Sequence, residues 1–283
     1  MRFERYHGLG NDYLVWDSNQ WNWMPNEKQI ELICNRNFGL GSDGILYGPI
    51  FDGKEIKVRI FNPDGSEAEK SGNGVRIFSK FLKDFKYVES SSYELSTIGG
   101  KVRVDYLSSD GSLMKVLMGK TTCNSKEIPA TGPERDIIDE TMFFDGEAYQ
   151  VTCVNIGNPH CVILMDDISK DKAVQLGKVV ETSKNFPQRI NMQLLKIIDR
   201  NNIQIEIYER GAGYTLASGS SSCAAATAAF RLGLVNEKIT VHMPGGNLAV
   251  EIKSDSSVYM TGTVNRIGTI ITSTEFDDSI GLI

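Results

Sequence analysis

The sequence is poor in the side chains that build metal and redox centres. Its 283 residues include only three histidines, and no two of them have a ligand spacing such as H-x-x-x-H. The five cysteines are scattered and contain no C-x-x-C pair, so neither a disulfide framework nor a zinc site is predicted, and we expect no metal. His160 and Cys161 are adjacent, but neighbours on a strand point to opposite faces. This favours Cys161 as a core residue over a nucleophile.

An excess of positive charge and long apolar runs are also missing. The formal net charge is −6, whereas a nucleic-acid-binding surface needs clustered lysine and arginine. No apolar run approaches the length that spans a bilayer, and the segment that ends at His7 contains no signal-peptide core. We therefore expect a cytoplasmic protein that binds neither nucleic acid nor membrane.

The sequence does contain an internal repeat. Four short segments recur in the same order at an interval of 147 residues, the last of them one residue early. They are Gly10-Asn11 and Gly157-Asn158, 59–62 and 206–209, Ser71-Gly72 and Ser218-Gly219, and Gly99-Gly100 and Gly245-Gly246. One such match would mean little, because these are common turn pairs. Four matches predict two homologous halves related by a pseudo-two-fold axis, and the chain is long enough for two domains.

Hydrophobic periodicity predicts ten strands and three helices. The strands are 57–62, 93–97, 101–106, 113–118, 149–154, 162–165, 203–208, 239–243, 248–252 and 258–263, and the helices are 28–35, 73–85 and 221–232, with Gly233 ending the last. The two longer helices are apolar on most faces, so we expect each of them to be buried inside a curled sheet. The polar segment 124–133 contains two prolines and is predicted to be a connector or a surface loop.

The two Ser-Gly turns point to a chemical function. A turn of small residues before a helix leaves backbone N–H groups at the positive end of the helix dipole, which suits an anion. Ser71 and Ser218 could equally be ordinary N-caps, the commonest role of serine before a helix. Two symmetric helix starts facing one cleft, however, could share a carboxylate and place a side chain on each side of its α-carbon. Such a pair suits stereoinversion, in which one group removes a proton and the other returns one to the opposite face.

Six motifs resemble those of the diaminopimelate epimerase family, in order and over essentially the whole chain. They are HGLGND at 7–12, NPDGS at 62–66, SGNGVR at 71–76, GNPH at 157–160, FPQRIN at 186–191 and ERGAG at 209–213. The resemblance implies an α+β fold of two pseudo-symmetric domains, 1–117 with 264–283 and 118–263. Each domain would be a β-barrel-like sheet around a central helix. The implied activity is epimerisation of LL- to meso-diaminopimelate, in lysine and cell-wall synthesis, without pyridoxal phosphate or any other cofactor.

The resemblance also implies the roles of individual residues. The carboxylate at the reacting carbon would be bordered by Gly72, Asn73, Gly219 and Ser220. The distal amino and carboxylate groups of the substrate would meet Asn11, Asn62, Asn158, Asn191, Glu209 and Arg210. His160 and Glu209 would assist proton transfer. Residue chemistry agrees in part, since Arg210 offers a bidentate fork to a carboxylate and Glu209 a partner to an ammonium. Without the family, this pair could equally be a solvated ion pair at the end of a strand.

The sequence departs from the family at the two catalytic bases. Both are cysteines in the family, and here Ser71 and Ser218 occupy those positions. A thiol titrates near ~8.5 and an alcohol closer to water at about 15.7, a gap of roughly 7 units that a site's usual shift of about 2–5 units does not close. Tyr214, Leu216 and Ser221 are further departures near the second serine.

Three interpretations are open. The chain could be an engineered variant with both cysteines replaced, a natural paralogue that uses His160 or Glu209 as the base for a different isomerisation, or a protein that binds an amino acid without reaction. The additional changes around Ser218 favour a natural variant over an engineered one. The sequence leaves the oligomeric state open, and a homodimer is one arrangement that it permits.

Overall fold

The computed structural model describes residues 1–21 and 23–281, which form 18 strands and five helices. The strands are β1 (Arg2–Gly8), β2 (Asn11–Asp17), β3 (Ile45–Asp52), β4 (Glu55–Phe61), β5 (Glu67–Ala68), β6 (Ser92–Thr97), β7 (Gly100–Tyr106), β8 (Leu113–Lys120), β9 (Glu140–Phe144), β10 (Glu147–Asn155), β11 (Pro159–Leu164), β12 (Asn191–Asp199), β13 (Asn202–Glu209), β14 (Gly213–Thr215), β15 (Lys238–Met243), β16 (Gly246–Ile252), β17 (Ser257–Thr263) and β18 (Asn265–Ile271). The helices are α1 (Glu27–Cys34), α2 (Gly72–Asp84), α3 (Lys170–Glu181), α4 (Gly219–Arg231) and α5 (Thr274–Ser279).

The chain divides into two compact units. Unit 1 is Met1–Val116 together with the chain from Gly262 onwards, and unit 2 is Leu117–Thr261. The chain therefore passes from one unit to the other within β8 and returns within β17. The sequence prediction placed these changes after residues 117 and 263. The last two residues of its first domain, 282–283, lie outside the described part of the chain.

Unit 1 is a curled sheet with a helix inside. Its strands are hydrogen-bonded in the order β18, β1, β2, β3, β4, β6, β7 and β8, with the short β5 attached to β4. Helix α2 packs against β1, β2 and β3, and all of its residues from Gly72 to Leu82 are buried. Because the helix is enclosed, its polar side chains must be hydrogen-bonded, and Asn73, Arg76 and Lys80 donate to Asn11, Asn73 and Asp84.

Unit 2 repeats this arrangement. Its order is β9, β10, β11, β12, β13, β15, β16 and β17, with β14 attached to β13, and α4 packs against β10 to β13, β15 and β16. The pairing of Ile45 with Phe61 in unit 1 corresponds to the pairing of Met192 with Tyr208 in unit 2, again 147 residues apart. The α+β fold with a sheet around a central helix in each half is confirmed.

The two faces of β12 have different roles. Met192 and Leu194 face an apolar core with α3, and Cys161 on the neighbouring β11 belongs to the same core, as predicted. The residue between them, Gln193, points to the other face and donates a hydrogen bond to Ser221 in α4. This alternation, which follows from the two-residue period of a strand, separates an apolar outer layer from a polar layer beside the central helix.

The prediction for segment 124–133 is wrong as a connector between the halves. The segment lies inside unit 2, and it has no regular helix or strand. Ile128 is only 1% exposed and belongs to the unit 2 core. The reason is that one apolar side chain in a polar segment is enough to anchor it, since burying an isoleucine contributes about 1.5–3 kcal/mol. Among the described residues, none of the helices combines the length and the hydropathy that crossing a membrane requires.

Candidate active site

Helix α2 begins at a serine cap. Ser71 has extended backbone dihedral angles, and its Oγ accepts a hydrogen bond from the Gly74 N–H at 3.0 Å. This bond satisfies one of the backbone donors of the first turn, while the helix dipole makes the helix end electropositive. Ser71 therefore caps the helix at the same position that a catalytic serine would occupy.

The first turn of α2 is joined to the β1–β2 hairpin by buried polar side chains. Asn73 Nδ2 donates to Asn11 Oδ1 at 3.0 Å, and Arg76 Nη2 donates to Asn73 Oδ1 at 2.8 Å. Asn11 Nδ2 in turn donates to Asp43 Oδ2 at 2.9 Å. Two predicted site residues, Asn11 and Asn73, are therefore in direct contact. Asn62 follows β4 and donates to Ser66 Oγ at 3.0 Å, within its own turn.

Helix α4 begins in the same way in unit 2. Ser218 is 6% exposed, and its Oγ lies 3.4 Å from the Ser221 backbone nitrogen, which donates to it, and 3.4 Å from the Ser220 Oγ. These long contacts contrast with the 3.0 Å bond at Ser71. The hydroxyl of Ser218 is surrounded by hydroxyl and N–H groups rather than by a carboxylate or an imidazole at hydrogen-bond distance.

His160 is fully buried on β11 beside this helix. Its Nε2 lies 2.9 Å from Asn158 Oδ1, so these two predicted residues are in contact. Burial lowers the pKa of His160 to about 3; the charge of Arg210 acts in the same direction, and a hydrogen bond with Gln193 opposes both. His160 is consequently neutral at physiological pH. A neutral imidazole can accept a proton, but it holds that proton weakly in this setting.

Gln193 connects His160 to the start of α4. Its Nε2 donates to Ser221 Oγ at 3.0 Å, while Gln193 Oε1 and His160 Nδ1 are both buried without a well-aligned partner. The contact with Gln193 favours the protonated imidazole, which is the direction expected when the amide oxygen faces the ring nitrogen.

A separate set of bonds fixes the loop that carries Glu209 and Arg210. Asn191 Oδ1 accepts from the Arg210 backbone N–H at 3.0 Å, and Asn191 Nδ2 donates to the Pro159 carbonyl at 2.8 Å. Glu181, the last residue of α3, is buried and accepts from the Gly211 N–H at 2.7 Å. The predicted role of Asn191 toward the substrate is untested, but its contacts hold Arg210 next to the strand that carries His160.

The predicted residues are shared between the two units. Unit 1 contains Asn11, Asn62, Ser71, Gly72 and Asn73, and unit 2 contains Asn158, His160, Asn191, Glu209, Arg210, Ser218, Gly219 and Ser220. Sequence reasoning missed Tyr13 and Gln193, which contact Ser71 and His160, and Glu181, which accepts from the Gly211 N–H next to Arg210. The repeat was the signal available for Tyr13, because it lies 147 residues before His160.

Other recesses and metal sites do not coincide with these residues. An open recess of about 600 Å³ is lined by residues that include Arg200 and Phe230 in unit 2, and one of about 530 Å³ by residues that include Arg59 and Phe61 in unit 1; neither lining includes a predicted site residue. Within residues 1–21 and 23–281, no three His, Cys, Asp or Glu side chains cluster as metal ligands would. All five cysteines are buried free thiols.

Comparison with known proteins gives consistent results. The family profile described as diaminopimelate epimerase matches residues 3–123 and 152–267. The chain is 48% identical over 276 residues to "Diaminopimelate epimerase 2" of Nostoc sp., covering 97% of this chain and 96% of that protein. It is 34% identical over 267 residues to the diaminopimelate epimerase of Moorella thermoacetica, covering 93% and 95% of the two chains.

Solved structures share the fold at low sequence identity. A probable proline racemase from Agrobacterium radiobacter matches with a TM-score of 0.71 and 13% identity, over 96% of this chain and 93% of that one. A phenazine biosynthesis protein from Bacillus anthracis matches with a TM-score of 0.66 and 15% identity, over 96% and 99%. At such identities the likeness concerns the fold alone.

Proposed function

Because the chain belongs to the diaminopimelate epimerase family, we propose that it inverts the α-carbon of diaminopimelate between the LL and meso forms. The observation that carries the proposal is that both units present the same helix start at equivalent positions, Ser71-Gly72 and Ser218-Gly219, each capped by its serine. The reaction is cofactor-independent, and we propose that it takes place in the cytoplasm.

Substrate binding would use the two helix starts and the Arg210 loop. The backbone N–H groups at Gly72, Asn73, Gly219 and Ser220 suit the carboxylate of the reacting carbon, because helix starts bind anions without basic side chains. Arg210 suits the distal carboxylate, and Glu209 with Asn11, Asn62, Asn158 and Asn191 suits the distal ammonium. The hydrogen bond between the Asn73 and Asn11 side chains supports the site for the carboxylate of the reacting carbon, because it holds both residues in place.

Proton transfer would use Ser71 and Ser218, with His160 and Glu209 assisting. This is the demanding part of the proposal, because an alcohol is a far weaker acid than a thiol. The low acidity of the two serine hydroxyls therefore limits the rate of the reaction. The groups that hydrogen-bond to these hydroxyls determine how far the rate is lowered.

The experiment is deuterium uptake at the α-carbon of diaminopimelate in heavy water, read by mass spectrometry. We expect slow uptake by the natural chain and an increase of at least about 100-fold in Ser71→Cys/Ser218→Cys, since a thiol near pKa ~8.5 supplies a base at neutral pH. Ser169→Cys, at the N-cap of α3, is the matched control and should leave the slow rate unchanged.

Two results would contradict the proposal. If the folded double-cysteine variant takes up no deuterium although it binds diaminopimelate in calorimetry, the chain is a binding protein. If neither chain binds diaminopimelate but both bind another amino acid, the substrate is a different one.

A further inference from the structure

The internal repeat places Tyr13 in unit 1 where His160 stands in unit 2. The two residues are 147 positions apart, and the parallel strand pairs that hold them have the same register, Leu14 with Ile45 and Cys161 with Met192. In this register the position beside Tyr13 is Gly44, whereas the position beside His160 is Asn191. A Cβ at Gly44 would lie 2.6 Å from Tyr13 Cε1, so only glycine leaves room for the tyrosine ring.

Tyr13 reaches the serine of its own unit directly. Its hydroxyl lies 3.4 Å from Ser71 Oγ, and the side chain is 6% exposed. His160 in unit 2 instead connects to its helix through Gln193 and Ser221. The equivalents of these two residues in unit 1 are Leu46 and Gly74, which pack against each other, since a Cβ at Gly74 would lie 3.2 Å from Leu46 Cδ2. The polar connection of unit 2 is thus replaced in unit 1 by a direct contact between a phenol and an alcohol.

We propose that Tyr13 is the proton-relay partner of Ser71 in the α-proton exchange, which rests on the function proposed above. A phenol has a pKa near ~10, whereas an alcohol resembles water at about 15.7, so phenolate is the more accessible base by several powers of ten. In the removal step, the bond between the α-carbon and its hydrogen breaks and the electron pair stays on carbon. Its proton passes to Ser71 Oγ while the Ser71 hydroxyl proton passes to the Tyr13 phenolate. Proton return reverses both transfers.

The charges around Tyr13 influence whether its phenol ionises. The ionisable side chains on its side of the sheet and on the elements packed there are Glu4 and Tyr6 on β1, Asp17 on β2, Asp43 before β3, and Arg76, Lys80 and Asp84 on α2. Asp17 accepts a hydrogen bond from the Tyr87 hydroxyl. Glu4 pairs with Arg266, Lys80 pairs with Asp84, and Asp43 pairs with Arg36. The buried Arg76 donates to Asn73 in the same turn as Ser71. Burial opposes ionisation of the phenol, so the phenolate fraction and with it the exchange rate should rise with pH.

A double-mutant cycle between positions 13 and 71 tests the relay. In the natural Ser71 background, Tyr13→Phe should lower α-proton exchange at least about 10-fold and abolish its rise with pH between 7 and 9.5. In the Ser71→Cys background the same change should cost less than about threefold, because the thiol is its own base. The effect should appear in the turnover rate, with the Michaelis constant changed less than about twofold.

Tyr6→Phe is the matched control. Tyr6 is the cross-strand neighbour of Tyr13, and its hydroxyl donates to Asp84 at the other end of α2, so this variant should keep the exchange rate and its pH profile. Equal losses from Tyr13→Phe in both backgrounds would overturn the relay and assign Tyr13 a packing role. Activity of Ser71→Cys is measured in the same cycle, so failure of the proposed function appears separately, as an inactive Ser71→Cys chain.

Discussion

At the scale of single residues, function depends on which side chains can exchange a proton at neutral pH. Ser71 and Ser218 each accept a backbone N–H bond, which fixes them at a helix start but also occupies a lone pair. The ionisable partners differ between the units, a phenol beside Ser71 and a buried imidazole near Ser218. The two halves are therefore alike in backbone and unlike in acid–base chemistry.

The buried His160 should make stability depend on pH. Its pKa is about 3 in the folded chain and about 6.5 when unfolded, so between these values the unfolded chain binds more protons and acid favours unfolding. Stability from this residue is present above pH ~6.5 and is lost toward pH ~3. Between pH 7 and 5 the natural chain should lose about 2 kcal/mol more than His160→Gln in urea unfolding.

His242→Gln is the control for this measurement. His242 lies on β15 and bonds to Asn202, outside the buried layer that contains His160. It should keep the pH dependence of the natural chain. If His160→Gln also keeps it, the imidazole is not held neutral by burial.

At the scale of elements, each short strand before a helix start is attached by its own pair of side chains. In unit 1, Arg59 holds Glu67 of β5 with bonds of 2.8 and 2.6 Å. In unit 2 the equivalent pair is Glu206 and Tyr214 of β14, joined by one bond of 2.7 Å. Burial, and then the bond to Glu206, raise the pKa of Tyr214. The departure at Tyr214 is therefore accommodated by a hydrogen bond from the phenol to Glu206 in place of an ion pair.

Helix α3 packs against β13 at Gly177. Because of this contact, we expect alanine at this position to destabilise the protein, whereas it usually stabilises a helix. A Cβ at Gly177 would lie 2.2 Å from Tyr208 Cγ. Replacing a helical glycine by alanine normally stabilises by about 1 kcal/mol, but overpacking costs about 1–3 kcal/mol. Gly177→Ala should therefore lower the free energy of unfolding, measured in urea.

The control for the helix itself is Gln175→Ala, at an exposed position of α3. It should stay within about 0.5 kcal/mol of the natural chain. A Gly177→Ala variant that is more stable than the natural chain would show that α3 can move away from β13 without loss.

At the scale of the whole molecule, both ends of the chain belong to unit 1. Strand β18 pairs with β1, and the N-terminal ammonium group of Met1 lies 2.7 Å from Asp277 Oδ2. Ile280 is buried in the same core as Phe3 and Trp16. The last segment therefore stabilises the first strand, although more than 260 residues separate them.

Ending the chain after Thr272 should destabilise unit 1 selectively. The truncation removes α5, the buried Ile280 and the partner of the N-terminal ammonium group, a loss of about 2–4 kcal/mol. Hydrogen–deuterium exchange with mass spectrometry should show faster exchange in β1 and β2, while β12 and β13 keep their protection. Glu275→Gln, at an exposed position of α5, is the control and should exchange like the natural chain. Equal deprotection of both units would contradict the selective effect.

Local patterns in the sequence were sufficient for several features of this protein. The repeat, the three helices at 28–35, 73–85 and 221–232, and ten strands could be predicted because caps, apolar runs and alternation are properties of neighbouring residues. The sequence prediction missed helices α3 and α5 and strands β1, β2, β3, β5, β9, β12, β14 and β18. β12 is buried on both faces, with Met192 and Leu194 on one face and Leu195 on the other, so its alternation of apolar and polar residues is incomplete.

The partners of the site residues were decided by tertiary structure alone. Tyr13 and Ser71 are 58 residues apart, Gln193 and Ser221 are 28 apart, and Glu181 and Gly211 are 30 apart. No local pattern encodes such contacts, because they depend on the register of parallel strands and on which face of each strand meets the central helix. The sequence by itself determined where the two helix starts lie and that serine caps both. The packing of each sheet around its helix decided that one serine has a phenol beside it and the other a histidine linked through a glutamine.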